Sequence, residues 1–258
     1  PCQPFSIAWY RKGFIDERGN HFFRIVEFIE SLNPKVIFLE NVKNLTTHDK
    51  GKTFRIIKDA IEANGYSFHA KVLNTMYYGN IPHNRERIFI IGFKNNDDGT
   101  NIYSDLFDFP SEEKLTNSVE KIIEKKKVDE RFYYREGMYP YDKIVGEINK
   151  ENTIYQWRRV YVRENKSGVS PTLTANMGTG GHNVPLIYTK HGIRKLTPTE
   201  CFKLQGFDMG GSYNFPEGVS NTQLYKQSGN SVSIPVISRI ADKISSSLIL
   251  NKKKKFTY

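Results

Sequence analysis

Cysteine is scarce: Cys2 and Cys201 are the only two in 258 residues. Two thiols cannot build a disulfide framework or a cysteine-rich zinc site. A free, reactive thiol in a reducing compartment is the simpler use. The six histidines show no metal-ligand spacing. No apolar run approaches the length that crosses a bilayer, and no basic-then-apolar signal region opens the chain. A membrane partner is therefore not expected, and an intracellular setting is. Acidic residues are outnumbered, 28 Asp and Glu against 38 Lys and Arg, for a net charge of +10. That excess favours a polyanionic partner without naming it, since many basic proteins are merely soluble.

What is present begins with helical periodicity. Residues 19–32 place Phe22, Phe23, Ile25, Val26, Phe28, Ile29 and Leu32 largely on one face, and Asn33-Pro34 stops that helix. The apolar run Lys35–Glu40 predicts a buried parallel strand. An amphipathic helix follows over 52–63, ended by Asn64-Gly65, then an extended stretch near 67–74. After a turn at Gly79-Asn80, Arg87–Phe93 predicts a further strand, close enough to the previous one for a hairpin. These elements amount to half of an open α/β sheet, with three central strands. From 94 to 152 the chain turns polar, with a charged helix candidate at 112–127 and aromatic-rich turns around Phe132–Tyr141. Residues 153–188 hold short turn-rich pieces and the run Gly178-Thr179-Gly180-Gly181. A last helix is predicted at 232–249, followed by Lys252–Lys255, which reads as a solvated tail.

Some residue groups carry chemistry. Pro1-Cys2-Gln3-Pro4-Phe5-Ser6 presents a thiol, although an isolated cysteine is more often a small buried hydrophobe. Glu40-Asn41-Val42 closes a predicted strand, where ligands of open α/β sheets sit. Arg85-Glu86-Arg87 stands at a strand entrance, where alternation would put both arginines on one side; a solvated edge is the plain alternative. Further on come Arg194-Lys195-Leu196-Thr197-Pro198-Thr199-Glu200-Cys201, then Leu204-Gln205-Gly206-Phe207, and Gln227-Ser228-Gly229-Asn230-Ser231-Val232. In this order the groups resemble the C5-cytosine-specific DNA methyltransferases of bacterial restriction–modification systems. That family carries a PCQ nucleophile motif, then ENV, then Q-x-R-x-R before an apolar strand.

The resemblance implies an α/β fold: a partial Rossmann-like sheet of the S-adenosylmethionine-dependent methyltransferase type lacking its first strands, with a smaller, mostly irregular and β-containing target-recognition lobe. Residues 1–110 would form the catalytic lobe and 111–221 the recognition lobe, with 222–258 a C-terminal helix returning to the former. It also implies a chemistry. C5 of cytosine is a poor nucleophile; a thiolate adding to C6 turns C5 into an enamine carbon that accepts an activated methyl group. Cys2 would supply that thiolate. Glu40 would manage the proton at N3 and accept from the exocyclic amine, and Arg85 and Arg87 would anchor the ring O2. The buried target must be flipped out of double-stranded DNA.

S-adenosylmethionine is the implied cofactor, bordered by Pro1, Asn230 and Ser231. The family's glycine-rich turn and acidic ribose ligand find no match here, so a preceding segment or a complementary N-terminal subunit is an expected partner. Thr172-Leu173 matches the Thr-Leu pair of the recognition region. Thr172, Ser6, Arg158, Arg159 and Arg163 are candidate DNA contacts, because arginine reads guanine edges; each arginine could equally be a phosphate anchor or a surface charge. A short GC-containing palindrome and a nucleoid-associated location are implied.

Three departures from the family stand out. His83 takes the usual place of glutamine, where a polar contact to DNA or to a loop could survive. Trp9 replaces a glycine, and Gly206-Phe207-Asp208-Met209 lacks a common proline. The glycines at 178–181 fit either a close approach to DNA or a flexible turn. Cys201 is expected to be a core residue. Two rival classes stay open: a non-catalytic DNA-binding module, and an RNA cytosine methyltransferase, against which Lys203 after Cys201-Phe202 departs from the Cys-Phe-Thr signature.

Overall fold

The structure, a computed structural model, describes residues 21–179 and 183–254, with side chains described over 22–179 and 183–249. Pro1, Cys2, Ser6, Trp9, Gly180 and Gly181, singled out above, lie outside the described residues.

In chain order the elements are α1 (His21–Leu32), β1 (Val36–Val42), α2 (Lys52–Ala63), β2 (His69–Asn74), α3 (Thr75–Tyr78), β3 (His83–Asn84), β4 (Glu86–Phe93) and α4 (Ile102–Asp105). There follow α5 (Tyr141–Ile144), β5 (Ile154–Trp157), β6 (Val162–Glu164), β7 (Ser170–Pro171), β8 (Leu186–Thr189), β9 (Gly192–Lys195), α6 (Pro198–Lys203), α7 (Asn221–Asn230) and α8 (Ile234–Lys254). The chain divides into two compact units. The first gathers residues up to Leu73 with Glu86–Ser111 and Arg239 onward; the second gathers Asn74–Arg85 and Glu112–Ser238. Residues 222–238, expected with the catalytic lobe, thus cluster with the second unit, and α8 runs from one unit into the other.

In the first unit, a three-stranded sheet has the order β1-β4-β2. The sequence leads to a parallel β1; its neighbour among the described residues is β4, which it pairs antiparallel, Val36 opposite Phe93 through Val42 opposite Arg87. Apolar content cannot distinguish the two directions, because either pairing covers the same side chains. Burial is also partial: Ile37 alone in β1 is fully buried. Alternation sends Ile88 and Ile90 of β4 to one face, where Phe22 and Ile29 of α1 and Ile57 and Ile61 of α2 pack over them. The predicted α1 stripe is narrower than expected, since Phe23, Phe28 and Leu32 are exposed. Asn33, in a left-handed conformation at φ 43°, ends that helix.

The second unit holds a four-stranded antiparallel sheet, order β6-β5-β8-β9, and a two-residue parallel pairing of β3 with β7. One apolar cluster joins Leu173, Met177, Leu196, Cys201, Leu204 and Tyr225. Another joins Tyr134, Ile144, Ile148, Tyr155, Trp157 and Leu186. The helix expected at 112–127 does not form; only the 3-10 turn Val119–Lys121 is helical there. Its backbone N–H groups find distant partners instead: Thr116 and Asn117 donate to the Asn80 side chain and Glu124 to the Glu200 carboxylate. Such bonds compete directly with the i to i−4 ladder.

Candidate active site and nucleic-acid interface

In the first unit, the register of β1 on β4 sets Glu40 opposite Phe89 and Val42 opposite Arg87. Glu40 and Arg87 are therefore diagonal neighbours on one face, within reach of long side chains. Their charged groups meet, Arg87 Nε to Glu40 Oε1, at 3.1 Å. Both side chains are largely but not fully covered, 15% and 25% exposed. A guanidinium so placed fixes the carboxylate with one of its five N–H groups, held in a rigid fork. Another, on Nη1, goes to the carbonyl of Glu86 at 2.8 Å. The Glu86 carboxylate itself turns to Lys43 at 2.9 Å. The carboxylate of the ENV motif and the last arginine of the R-x-R motif thus form one polar pair at the C-terminal end of β1.

Arg85 does something else. It lies before β4 and clusters with the second unit, whereas Arg87 belongs to the first. The Arg85 side chain is 2% exposed. Its Nη1 donates to the Leu173 carbonyl at 3.1 Å, and its Nη2 to the carbonyls of Gly229 and Ser231 at 3.3 and 2.6 Å. Gln205 adds a bond from Nε2 to the Ser228 carbonyl at 2.8 Å. The last carbonyls of a helix have no partners inside it, and the helix dipole favours a cation there. Arg85 and Gln205 together close the C-terminus of α7 and so hold the exposed Asn230 that ends it and the half-buried Ser231 that caps it. Two motifs that read as chemistry in the sequence are, at these residues, scaffolding for a third.

Glycines fit this scaffold tightly. A Cβ on Gly229 would stand 2.1 Å from the Thr174 carbonyl carbon, and one on Gly178 would stand 2.5 Å from the Thr222 carbonyl oxygen. The 3-10 turn Ala175–Gly178 therefore lies backbone-to-backbone along α7, its ends pinned by these two glycines. Neither a DNA approach nor flexibility is the reason for Gly178; helix packing is. His83 is wholly buried rather than available to DNA: Nδ1 bonds the Leu204 carbonyl at 2.9 Å and Nε2 accepts from the Leu173 N–H at 3.1 Å. The 194–201 motif is likewise structural. Arg194 and Glu200, both fully buried, form a bidentate pair at 2.6 and 2.7 Å. Thr197 and Glu200 close a capping box at the start of α6. Cys201 is buried, and burial pushes its thiol well above the ordinary range, as befits an inert core residue.

A polar concavity of about 360 Å³ opens in the second unit, lined among others by Arg158, Arg163, Thr172, Gln156, Asn176 and Asn183. Of the predicted DNA contacts, Arg158, Arg163 and Thr172 line it. Arg159 does not; it sits in the turn between β5 and β6 at φ 68°. The Thr172 hydroxyl donates to the Asn84 carbonyl at 2.7 Å. Gln156, Asn176 and Asn183 were not singled out in the sequence, although the β alternation that faces Gln156 away from the core was available there. Among the described residues, no group of three or more His, Cys, Asp or Glu could hold a metal ion, and no helix is long and apolar enough to cross a membrane.

A model of the C-5 cytosine-specific DNA methylase family matches residues 1–246. The chain belongs to that family. It is 53% identical over 252 residues to the Type II methyltransferase M.Bsp6I of Bacillus sp. (strain RFL6), covering 96% of this chain and 78% of that protein. Against the Type II methyltransferase M.HhaI of Haemophilus parahaemolyticus it is 38% identical over 264 residues, covering 96% and 74%. The methylase also shares its fold with the Entamoeba histolytica methyltransferase EhMeth, with a TM-score of 0.66 at 18% identity over 96% of this chain and 75% of that one. These matches place it among DNA cytosine-5-methyltransferases of the α/β methyltransferase fold.

Proposed function

We propose that this methylase transfers a methyl group from S-adenosylmethionine to C5 of a cytosine flipped out of a defined sequence in double-stranded DNA, as the modification arm of a restriction–modification system. The Glu40–Arg87 pair carries the reading: a carboxylate and a guanidinium, fixed on one sheet face at the end of β1, suit the acceptor and donor pattern of a cytosine edge. Glu40 accepts from the exocyclic amine and holds the proton at N3. Arg87 orients Glu40 and faces the charge that develops at O2. The Cys2 thiolate adds to C6, forming a C–S bond as electron density moves to C5. The cofactor would supply the methyl to C5 and leave as a neutral thioether; loss of the C5 proton to a base and departure of the Cys2 thiolate would then restore the 5,6 double bond.

S-adenosylmethionine supplies an electrophilic methyl on a sulfonium. The residues present fit its edge: Asn230 is exposed and Ser231 half-buried at the end of α7, with the chain between them held by Arg85 on both sides. In this reading Arg85 is a positioning residue, and Pro1 completes the edge. Thr172, Ser6 and the arginines at 158, 159 and 163 face the DNA.

Labelled methyl transfer to duplex DNA, followed by digestion to nucleosides, tests the proposal in the full-length protein. The product is 5-methylcytosine. Cys2→Ser removes turnover while keeping DNA binding, and Glu40→Gln lowers kcat by about 10²–10⁴. Turnover persisting in the serine variant would rule the covalent route out.

A further inference from the structure

The Glu40–Arg87 pair stands at the end of its ladder. Pairing of β1 with β4 runs from Val36 opposite Phe93 to Val42 opposite Arg87 and stops there. Elements of structure open from their ends first, because the outermost residues have neighbours on one side only. Arg87 is on the last rung, and Glu40 lies two residues inside it. A loose end suits badly two groups that must meet a base within a fraction of an ångström.

A second ion pair lies just beyond. Continuing the register by one step sets Lys43 against Glu86, and their charged groups meet, Lys43 Nζ reaching both carboxylate oxygens at 2.9 Å. Lys43 opens the 3-10 turn Lys43–Thr46, which is itself fixed. Leu45 is 1% exposed and belongs to the apolar cluster with Ile57, Ile61 and Ile88, and the Thr46 hydroxyl donates to the Lys43 carbonyl at 2.9 Å. On the other strand, Glu86 is tied to the site through its backbone. Its carbonyl accepts from Arg87 Nη1 at 2.8 Å, while Arg87 Nε meets Glu40 at 3.1 Å. Both acceptors aim the guanidinium, so whatever holds the Glu86 peptide holds that aim. All of these residues belong to the first unit.

The Lys43 and Glu86 side chains are 54% and 41% exposed. An ion pair so exposed adds little to stability. What it restrains is position. Resting on the methyl-transfer reading above, we propose that the Lys43–Glu86 pair is a clasp that positions Arg87, and through it Glu40, against the target cytosine. Lys43 and Glu86 are positioning residues; neither touches the base.

Steady-state transfer of labelled methyl to duplex DNA by the full-length protein tests this, with kcat and KM for DNA measured separately. Lys43→Met and Glu86→Gln remove one charge each at nearly constant side-chain length. Each should lower kcat by roughly 5- to 100-fold, as a small misplacement of reacting groups does, with KM for DNA changed by less than about 2-fold. The thermal midpoint should fall by less than about 4 °C. The double neutral variant should lose no more than either single one. The exchanged pair, Lys43→Glu with Glu86→Lys, should recover most of the lost kcat. An unchanged kcat in either single variant would overturn the proposal, as would losses that multiply in the double variant or fail to recover on exchange. A raised KM and a shallower salt slope for Lys43→Met alone would overturn it too, assigning Lys43 to a DNA phosphate. The clasp and the reading beneath it fail differently. A wild-type protein that forms no 5-methylcytosine, or Glu40→Gln at full kcat, removes the reading; an active wild type with indifferent Lys43 and Glu86 removes only the clasp.

Discussion

The imidazole of His83 carries one donor and one acceptor, and both are used: Nδ1–H on the Leu204 carbonyl, Nε2 for the Leu173 N–H. A glutamine side chain offers the same two functions from its amide, so the departure from the family pattern preserves the bridge with different atoms. His83→Gln should therefore cost under about 1.5 kcal/mol, whereas His83→Leu strands two buried backbone groups and should cost about 2–4 kcal/mol, read from urea midpoints. The Arg194–Glu200 pair is less forgiving, being wholly buried and bidentate. Glu200→Ala leaves a guanidinium uncompensated and should cost about 3–5 kcal/mol by the same measurement. Cys201 gives a chemical readout. Its thiol stays protonated and covered, so thiol-specific alkylation followed by peptide mapping should label it only when the protein unfolds. The sequence shows each of these residue types in its motif. It does not show that the Leu204 carbonyl lies against His83 or that Glu200 faces Arg194, because those partners are set by packing.

Elements were legible where local forces decide them. The helix over 52–63 matches α2, whose apolar residues Ile57 and Ile61 recur at helical spacing and whose end is marked by Asn64-Gly65. The stretch 112–127 misled because its side chains are helix-compatible while its N–H groups are claimed by Asn80 and Glu200 from elsewhere in the chain. Helix α7 shows the reverse, a short element made firm by its neighbours. Arg85 and Gln205 take three of its terminal carbonyls, and the backbone at 174–175 lies where any side chain at Gly229 would go. Gly229→Ala should then force the two backbones apart and cost more than about 3 kcal/mol, seen as a loss of thermal midpoint. Arg85→Lys keeps a charge but not the fork. It should weaken S-adenosylmethionine binding, measured by calorimetry, and raise the exchange rate of amides near 229–232, both without the loss of kcat that a ring contact would show.

For the molecule as a whole, buried weak acids set its behaviour in alkali. Burial holds the Tyr134 hydroxyl at about 12 and raises the Cys201 thiol, whereas the unfolded chain ionises tyrosine near 10 and cysteine near 8.5. The folded form then binds more protons above about pH 8.5, so stability is full below that value and falls as pH rises toward 12. Lys195, lowered by burial, works in the opposite sense over the same range. Denaturant midpoints at pH 8 and pH 10.5 should differ, the higher pH being the less stable; equal midpoints would contradict the burial of Tyr134 and Cys201. The family was legible in the order of short motifs, yet the division into units was not, because Arg85 and Arg87 are two positions apart in the chain and cluster with different units. The β5–β6 hairpin has a further consequence. Its inward row, Tyr155 and Trp157, packs in the unit's apolar cluster, and its outward row, Gln156 and Arg163, lines the concavity instead. Substitutions in the outward row can therefore alter the polar wall of the concavity without first requiring a new interior.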